Sequence, residues 1–154
     1  MTESDATDRL VATEAIKQLK ARYFRTLDTK AWDDFGEVFA SDAVLEVPEA
    51  EMTTEGRAAI VAAVSAALVG TTTVHHGHTP GIDVTGPDTA RGIWAMSDYV
   101  EWPAPDGGDR VGLRGYGHYH EEYVRTDGRW YIRRSRLERL RGDPLAGGLP
   151  VVGD

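Results

Sequence analysis

The sequence predicts an α+β domain in which a strongly curved, mostly antiparallel sheet wraps around three N-terminal helices and leaves a pocket between them. Apolar residues recur at helical spacing in the first half of the chain, and β-branched and aromatic residues broken by turn signals fill the second half. No internal repeat or linker divides the 154 residues. Helices followed by a meander of strands are typical of this fold class.

Three helices and one short strand are expected before Gly70. The first helix begins near Thr13, and its apolar stripe is formed by Ile16, Leu19, Tyr23 and Leu27. Asp28 offers an N-cap to a second helix within "AWDDFGEVF", and "AVLEV" is a short strand. Thr53 and Thr54 are expected to cap a third helix, "RAAIVAAVSAAL".

Four longer strands are expected in the second half: Thr72–Val84, Thr89–Trp102, Val111–Arg125 and Arg129–Arg141. The turn signals "TGPD", "PAPDGGD" and "RTDGR" separate them, and the last contains the Asp-Gly pair of a hairpin. The domain is therefore expected to span residues 13–141. Residues 1–12 are expected to be a flexible N-terminus, and residues 142–154 a flexible, Gly/Pro-rich tail.

Composition excludes several classes of function. The net charge of −8 argues against nucleic acid or an anionic membrane as a partner. The chain has no cysteine, which excludes thiolate catalysis and cysteine-ligated metal sites. The first residues are polar and acidic, unlike a secretory signal, and no apolar run is long enough for a membrane span. A cytoplasmic protein is expected.

Asp98 is the first candidate for a functional residue. In "RGIWAMSDYVEW" it shares one strand face with Trp94, Met96, Val100 and Trp102. A charge on the core face of a sheet costs several kcal/mol unless a partner compensates it. A histidine from the preceding strand would provide that partner and form a His–Asp general base. The alternative is an acid at the strand edge, or at a bulge, that faces water.

The stretch "TVHHGHTPGIDV" holds three histidines, and spacing alone does not decide which of them pairs with Asp98. Alternation places His76 and His78 on one face and His75 on the other, but Pro80 and Gly81 could introduce a bulge that resets the alternation. A metal site would need His76, His78 and a third ligand; His118 and His120 form a similar pair. The His-x-His pattern is weak evidence, so no metal is expected.

Other candidates have ordinary structural explanations. Tyr23 lies on the apolar stripe of the first helix, where a buried tyrosine is usually a core residue. Asp28 could serve only as a helix cap. The last strand is rich in arginine, and one of these side chains pointing into a pocket would suit an anionic or carbonyl group of a ligand.

The segments "IKQLKARYFRTLDTKAWDDF", "VHHGHTPGIDV", "ARGIWAMSDYVEW" and "DGRWYIRRSRLERLR" resemble the SnoaL-like family of the nuclear transport factor two and ketosteroid isomerase superfamily. The resemblance covers roughly Ala12 to Arg141 and is greatest to the bile acid 7α-dehydratases. It implies a cone-shaped fold and a homo-oligomer of two or three copies. The active-site residues of those enzymes match Tyr23, Asp28, His75, Asp98 and Arg139.

The resemblance implies a cofactor-independent dehydratase or isomerase that acts on a hydrophobic, polycyclic, steroid- or polyketide-like carbonyl compound. His75 is then the base, Asp98 orients it, and Tyr23 binds the oxygen where charge develops. Expected substrate contacts are Trp94, Met96, His78 and Tyr119.

The alternative is a small-molecule binder without activity. No motif of the dehydratases is found in residues 47–55 or in "PAPDGGDRVGLR", so the identity of the substrate stays open. The roles of His76, His118 and His120 also stay open.

Overall fold

The computed structural model describes residues 2–104 and 107–150. The helices are α1 (Glu3–Asp28), α2 (Trp32–Gly36) and α3 (Arg57–Ala67), and Pro48–Ala50 form a 3₁₀ turn. The strands are β1 (Phe39–Val47), β2 (Met52–Glu55), β3 (Thr72–Gly86), β4 (Thr89–Trp102), β5 (Val111–Thr126) and β6 (Arg129–Pro144). Two residues of the predicted break "PAPDGGD", Pro105 and Asp106, and residues 151–154 of the predicted tail lie outside the described residues.

The six strands form one curved sheet in the order β2-β1-β6-β5-β4-β3. All neighbours are antiparallel except β1 and β6, which are parallel. The sheet does not close on itself, and α1 packs across its concave face against β3 and β6. This arrangement confirms the predicted cone-like α+β fold. Among the described residues, no helix is both long and apolar enough to cross a membrane.

The first helix begins at Glu3 rather than near Thr13, because a capping box starts it. The Thr2 hydroxyl accepts from the Asp5 backbone N–H at 3.1 Å, and the Asp5 carboxylate accepts from the Thr2 N–H at 2.9 Å. The helix runs on to Asp28, so this residue is not the cap of the second helix. That N-cap is Ala31, which makes no side-chain cap bond. The division into residues 1–12, 13–141 and 142–154 stays a prediction.

The chain between α2 and α3 differs most from expectation. The second helix ends at Gly36, and Phe39 begins β1 rather than lying in a helix. Thr53 and Thr54 belong to β2, an edge strand that periodicity missed because it is only four residues long. Gly56, with φ of 91°, is the N-cap of α3 in their place. The four predicted C-terminal strands are confirmed, with ends displaced by a few residues.

The predicted stripe of α1 forms the centre of the core. Ile16, Leu19, Tyr23 and Leu27 are all buried and pack against the concave face of the sheet. The Tyr23 ring contacts those of Phe35, Phe39 and Tyr119, with centroids 5.4–6.0 Å apart. Each fully buried apolar side chain of this size contributes about 1.5–3 kcal/mol relative to exposure.

A buried ion pair also joins α1 to the sheet. The Lys20 Nζ lies 2.5 Å from the Glu121 Oε1, and both side chains are fully buried. Glu121 also accepts hydrogen bonds from the Ser135 and Tyr123 hydroxyls, at 2.8 and 2.6 Å. The Lys20 ammonium lies over the Tyr119 ring, 3.6 Å from its centroid. Burial lowers the pKa of Lys20, and the Glu121 charge acts in the opposite direction.

We expect Lys20→Met to reduce the free energy of unfolding by about 3–5 kcal/mol, because the Glu121 carboxylate would remain buried without its cation. Urea denaturation measures the loss. The double variant Lys20→Met/Glu121→Gln should recover part of it. Glu122→Gln is the matched control, since its exposed side chain lies next along the strand on the opposite face. A single variant as stable as the control would contradict the prediction.

Candidate active site

The end of α1 meets the start of β3 through the Asp28 carboxylate. Its Oδ1 accepts from the Thr73 hydroxyl at 2.9 Å and lies 2.7 Å from the His75 Nδ1. Its Oδ2 accepts from the His75 backbone N–H at 2.8 Å. The Lys30 ammonium donates to the Thr73 hydroxyl at 2.7 Å. Asp28 is therefore held by three donors from one strand and fixes both the backbone and the ring of His75.

This contact determines which His75 nitrogen carries the proton. An ionised carboxylate only accepts hydrogen bonds, so the neutral ring is protonated at Nδ1. The Nε2 then has a free lone pair and lies 3.9 Å from the Asp98 Oδ2. The expected hydrogen bond between His75 and Asp98 is therefore wrong, and Asp28 orients the ring. Strand register does place His75 opposite Asp98, but the end of α1 provides the closer carboxylate.

Asp98 is paired with Arg139 from the last strand. The Arg139 Nη2 donates to the Asp98 Oδ2, and its Nε donates to Oδ1 at 3.3 Å. The Asp98 side chain is fully buried, as its position in an apolar row predicts. Gly115, opposite Asp98 in β5, gives the pair its space, because a Cβ there would collide with both side chains. The predicted arginine of the final strand thus enters the site.

The two aspartates have different electrostatic environments. Burial acts to raise the pKa of Asp28, but hydrogen bonds from the ring and backbone of His75 and from Thr73 outweigh it and lower the pKa. Burial raises the pKa of the Asp98 carboxyl, while the positive charge of a protonated His75 and the Gly115 N–H act to lower it. The Asp98 carboxylate depends on its cationic neighbours to stay ionised in this apolar surrounding.

A third carboxylate, Glu49, pairs with the Nη1 of Arg139 from the 3₁₀ turn. Glu49 could not be identified from the sequence, because its segment has neither a periodic pattern nor a shared motif. The Glu49 side chain is 47% exposed, whereas that of Arg139 is 11% exposed. Glu49 is therefore the solvent-facing member of the cluster, which we define as Asp28, His75, Asp98, Arg139 and Glu49.

Tyr23 lies in the core beside this cluster. Burial raises the pKa of Tyr23 well above its ordinary value, and the charges of Glu121, Asp98 and Asp28 raise it further. The hydroxyl therefore stays protonated and can donate a hydrogen bond. We expected the Tyr23 hydroxyl to lie near His75. Among the described residues, no hydrogen bond joins the Tyr23 hydroxyl to His75.

The expected substrate contacts lie on two different faces of the sheet. Trp94, Met96 and Tyr119 are buried on the concave face. His78 is exposed on the convex face and lies 3.2 Å from the Ser97 hydroxyl, so the expectation that it lines the site is wrong. The bulge after His78 does not reset the alternation before it. Gly77 points inward, where a Cβ would meet the Phe24 ring at 2.7 Å.

The four remaining histidines form two pairs on the convex face. The rings of His76 and His78 have centroids 6.3 Å apart, and those of His118 and His120 have centroids 6.2 Å apart. Over residues 2–104 and 107–150, no three histidine, aspartate or glutamate side chains form a group that could hold a metal ion. A groove of about 790 Å³ lies elsewhere, beside the N-terminal half of α1, and its walls do not include His75, Asp98 or Arg139.

Residues 8–136 match the profile of the SnoaL-like domain. The chain belongs to the SnoaL-like family. A probable cyclase from Gibberella zeae is 27% identical to this SnoaL-like protein over 139 residues, covering 84% of the chain and 91% of that protein. The closer similarity to bile acid 7α-dehydratases stays a prediction.

Solved structures of two other proteins share the fold of this SnoaL-like protein. A candidate scytalone dehydratase from Novosphingobium aromaticivorans has a TM-score of 0.79 at 20% identity, with 90% of each chain covered. The hexachlorocyclohexane dehydrochlorinase LinA-type3 from Novosphingobium barchaimii has a TM-score of 0.77 at 21% identity, covering 96% of this chain and 99% of that chain. At these identities the likeness is one of fold.

We expect Asp28→Asn to destabilise this SnoaL-like protein by roughly 1–3 kcal/mol at neutral pH, because two N–H donors and a hydroxyl lose their charged acceptor. The pKa of Asp28 is lower in the folded protein than the ordinary carboxyl value of 3.8. The contribution of Asp28 to the free energy of unfolding is therefore complete at pH values above 3.8, and it is lost as the pH falls through the lowered pKa. The stability difference between wild type and variant should therefore shrink in acid. Thermal unfolding over a pH series measures it.

Asp42→Asn is the control for this series, since Asp42 is an exposed strand residue. A difference between wild type and Asp28→Asn that stays constant with pH would contradict the assigned role of the Asp28 carboxylate.

Proposed function

We propose that this protein is a cofactor-independent dehydratase or isomerase of a hydrophobic, polycyclic carbonyl compound, with His75 as its general base. The proposal rests on the orientation and hydrogen bonding of the His75 imidazole. Its Nδ1 is fixed by Asp28 at 2.7 Å, and its free Nε2 points towards a second, buried carboxylate at 3.9 Å. A base of this kind is held in one tautomer before the substrate arrives.

The reaction begins with proton transfer to the His75 Nε2. The proton comes from a carbon next to a carbonyl or conjugated with it, and the electrons of the C–H bond move into an enolate. The imidazolium then lies between two carboxylates, which stabilise its charge. In a dehydration, the enolate electrons expel a hydroxyl, which takes the proton from Nε2 and leaves as water. In an isomerisation, Nε2 returns the proton to a different carbon.

Tyr23 is the proposed donor to the enolate oxygen. Because burial and three nearby carboxylates raise its pKa, it remains a neutral hydrogen-bond donor as charge develops. Arg139 would act on the same oxygen or on an acidic end of the substrate. Trp94, Met96 and Tyr119 would form the apolar floor of the binding site, which suits fused rings more than a polar ligand.

The related proteins support this class of reaction. Loss of water, loss of hydrogen chloride and many cyclisations can all involve removal of a proton from carbon by a base, and proteins named for each are similar to this chain. The second candidate is a binder without chemistry. The buried charges favour an enzyme, because a pocket for an apolar ligand has no need of an oriented imidazole between two carboxylates.

We expect His75→Ala to reduce turnover by roughly 10²–10⁴-fold while binding weakens by less than about tenfold. Fused-ring β-hydroxy ketones and β,γ-unsaturated ketones are suitable probes, since dehydration or isomerisation gives a conjugated enone that ultraviolet absorbance detects. Tyr23→Phe should cost about a hundredfold or more in rate if its hydroxyl is well aimed. The turnover of Asp28→Asn should be close to that of His75→Ala, because the amide disturbs the tautomer of the His75 ring.

The matched control is His76→Ala, which removes the neighbouring ring on the opposite face and should leave turnover unchanged. Native mass spectrometry on the same panel separates the two candidate functions. Binding of the ketones without conversion by the wild-type protein would favour the binder, and equal activity of the two histidine variants would reject His75 as the base.

The convex face is the proposed surface for a homo-oligomer of two or three copies. It carries four exposed apolar side chains from four adjacent strands: Val74, Ile93, Tyr116 and Leu140. Exposed apolar surface of this kind is typical of association sites. The cluster around His75 lies on the opposite, concave face, so association would leave it accessible.

We expect wild-type protein to sediment at two or three times the 16.9 kDa of one chain at micromolar concentration. Ile93→Asp should shift it to the monomer, because a charge would be placed in the buried interface. Leu10→Asp alters an exposed leucine on α1 and is the control. A monomeric wild-type protein would reject the proposed oligomer.

A further inference from the structure

Arg139 has two carboxylate partners that differ in their freedom to leave. Asp98 is fully buried and accepts from the Nε and Nη2 of the guanidinium. Glu49 pairs with the remaining terminal nitrogen, Nη1, and is 47% exposed. The 3₁₀ turn that carries Glu49 has no buried residue, so its displacement would expose no part of the core. One partner is thus fixed, whereas the other can exchange with solvent or with a ligand.

We propose that Glu49 occupies a carboxylate subsite on Arg139 in the unliganded protein, and that a carboxylate of the substrate takes its place. This inference rests on the proposed function and narrows its substrate class to polycyclic compounds that carry an acid group. The rings would lie against the apolar floor, and the acid would bind at the solvent-facing end of Arg139.

Charge explains why the ligand would replace Glu49 rather than join it. The cluster holds three carboxylates, from Asp28, Asp98 and Glu49, against one guanidinium while His75 is neutral. The Lys30 ammonium adds one positive charge at the far end, where it is joined to Asp28 through the Thr73 hydroxyl, so the cluster and Lys30 together still carry a net negative charge. A further anion beside them would be repelled in a half-buried site. Exchange of one carboxylate for another leaves the local charge unchanged. The planar guanidinium also presents the same N–H groups to either carboxylate.

The turn itself is suited to such an exchange. Pro48 begins it, the Glu51 N–H donates to the Pro48 carbonyl at 3.0 Å, and Glu51 has φ of 51°. It connects β1 to the edge strand β2 and contacts β6, which carries Arg139. A small rotation of the exposed Glu49 side chain would therefore free Nη1 without any movement of the sheet.

Binding of 2-naphthoate and its neutral amide, 2-naphthamide, tests the proposal by isothermal titration calorimetry. We expect Glu49→Gln to bind 2-naphthoate about tenfold more tightly than wild type does, roughly 1.4 kcal/mol, because the internal competitor has lost its charge. Affinity for 2-naphthamide should be unchanged. Glu51→Gln alters an exposed acid of the same turn and is the matched control, with no effect expected on either compound.

Three results would overturn the proposed subsite. Glu49→Gln could raise the affinity for both compounds alike, Glu51→Gln could have an equal effect, or Glu49→Gln could fail to bind 2-naphthoate. The assay measures binding alone, so its failure leaves the proposed chemistry of His75 standing. Conversely, His75→Ala should retain the effect of Glu49→Gln on 2-naphthoate, because His75 makes no ion pair with Arg139. The absence of turnover on the ketone panel would therefore not affect this result.

Discussion

The Lys20–Glu121 ion pair is the constraint from which the position of the site follows. It places one turn of α1 over the middle of the concave face, where Tyr119 and Ser135 complete its surroundings. A helix rises about 1.5 Å per residue, so the carboxylate of Asp28 lies about 12 Å further along the same axis. That distance takes the end of the helix to the start of β3. The contact between Asp28 and His75 thus lies at the end of a helix whose middle is held by a polar contact buried well away from it.

Two carboxylates lie beside the two nitrogens of the His75 imidazole, one at Nδ1 and one near Nε2. Asp28 comes from a helix end, receives several donors and is stabilised in its ionised form. Asp98 comes from a strand, is buried, and relies on Arg139 for its charge. In the proposed reaction, Asp28 would fix the orientation of the ring, and Asp98 would stabilise the positive charge that forms when Nε2 gains a proton. Neither carboxylate could serve both purposes, because they lie on different sides of the ring.

Much of this arrangement could be predicted from the sequence, and the exceptions have two causes. Strand alternation placed Asp98 in an apolar row and put His75 and His76 on opposite faces, but it left open whether Asp98 faces the core or the solvent. It could not show that Asp28, separated from His75 by 47 positions, would be nearer than Asp98. Helix docking decides that contact, and spacing within a strand carries no information about it. β2 was missed because a strand of four residues has too few positions to show a period, and Glu49 was missed because its short turn has no periodic pattern at all.

The glycines of β5 restrict how a site of this design can diversify. A side chain at Gly115 would strike Asp98 and Arg139, and one at Gly117 would strike the backbone of Glu138, so the floor beneath the charged cluster tolerates little change in volume. The connection from β1 to β2 has no buried residue in its turn and carries no such restriction. Under the proposed exchange at Glu49, substitutions within residues 48–51 would therefore change which ligands bind, while the interior around the His75 imidazole stays the same.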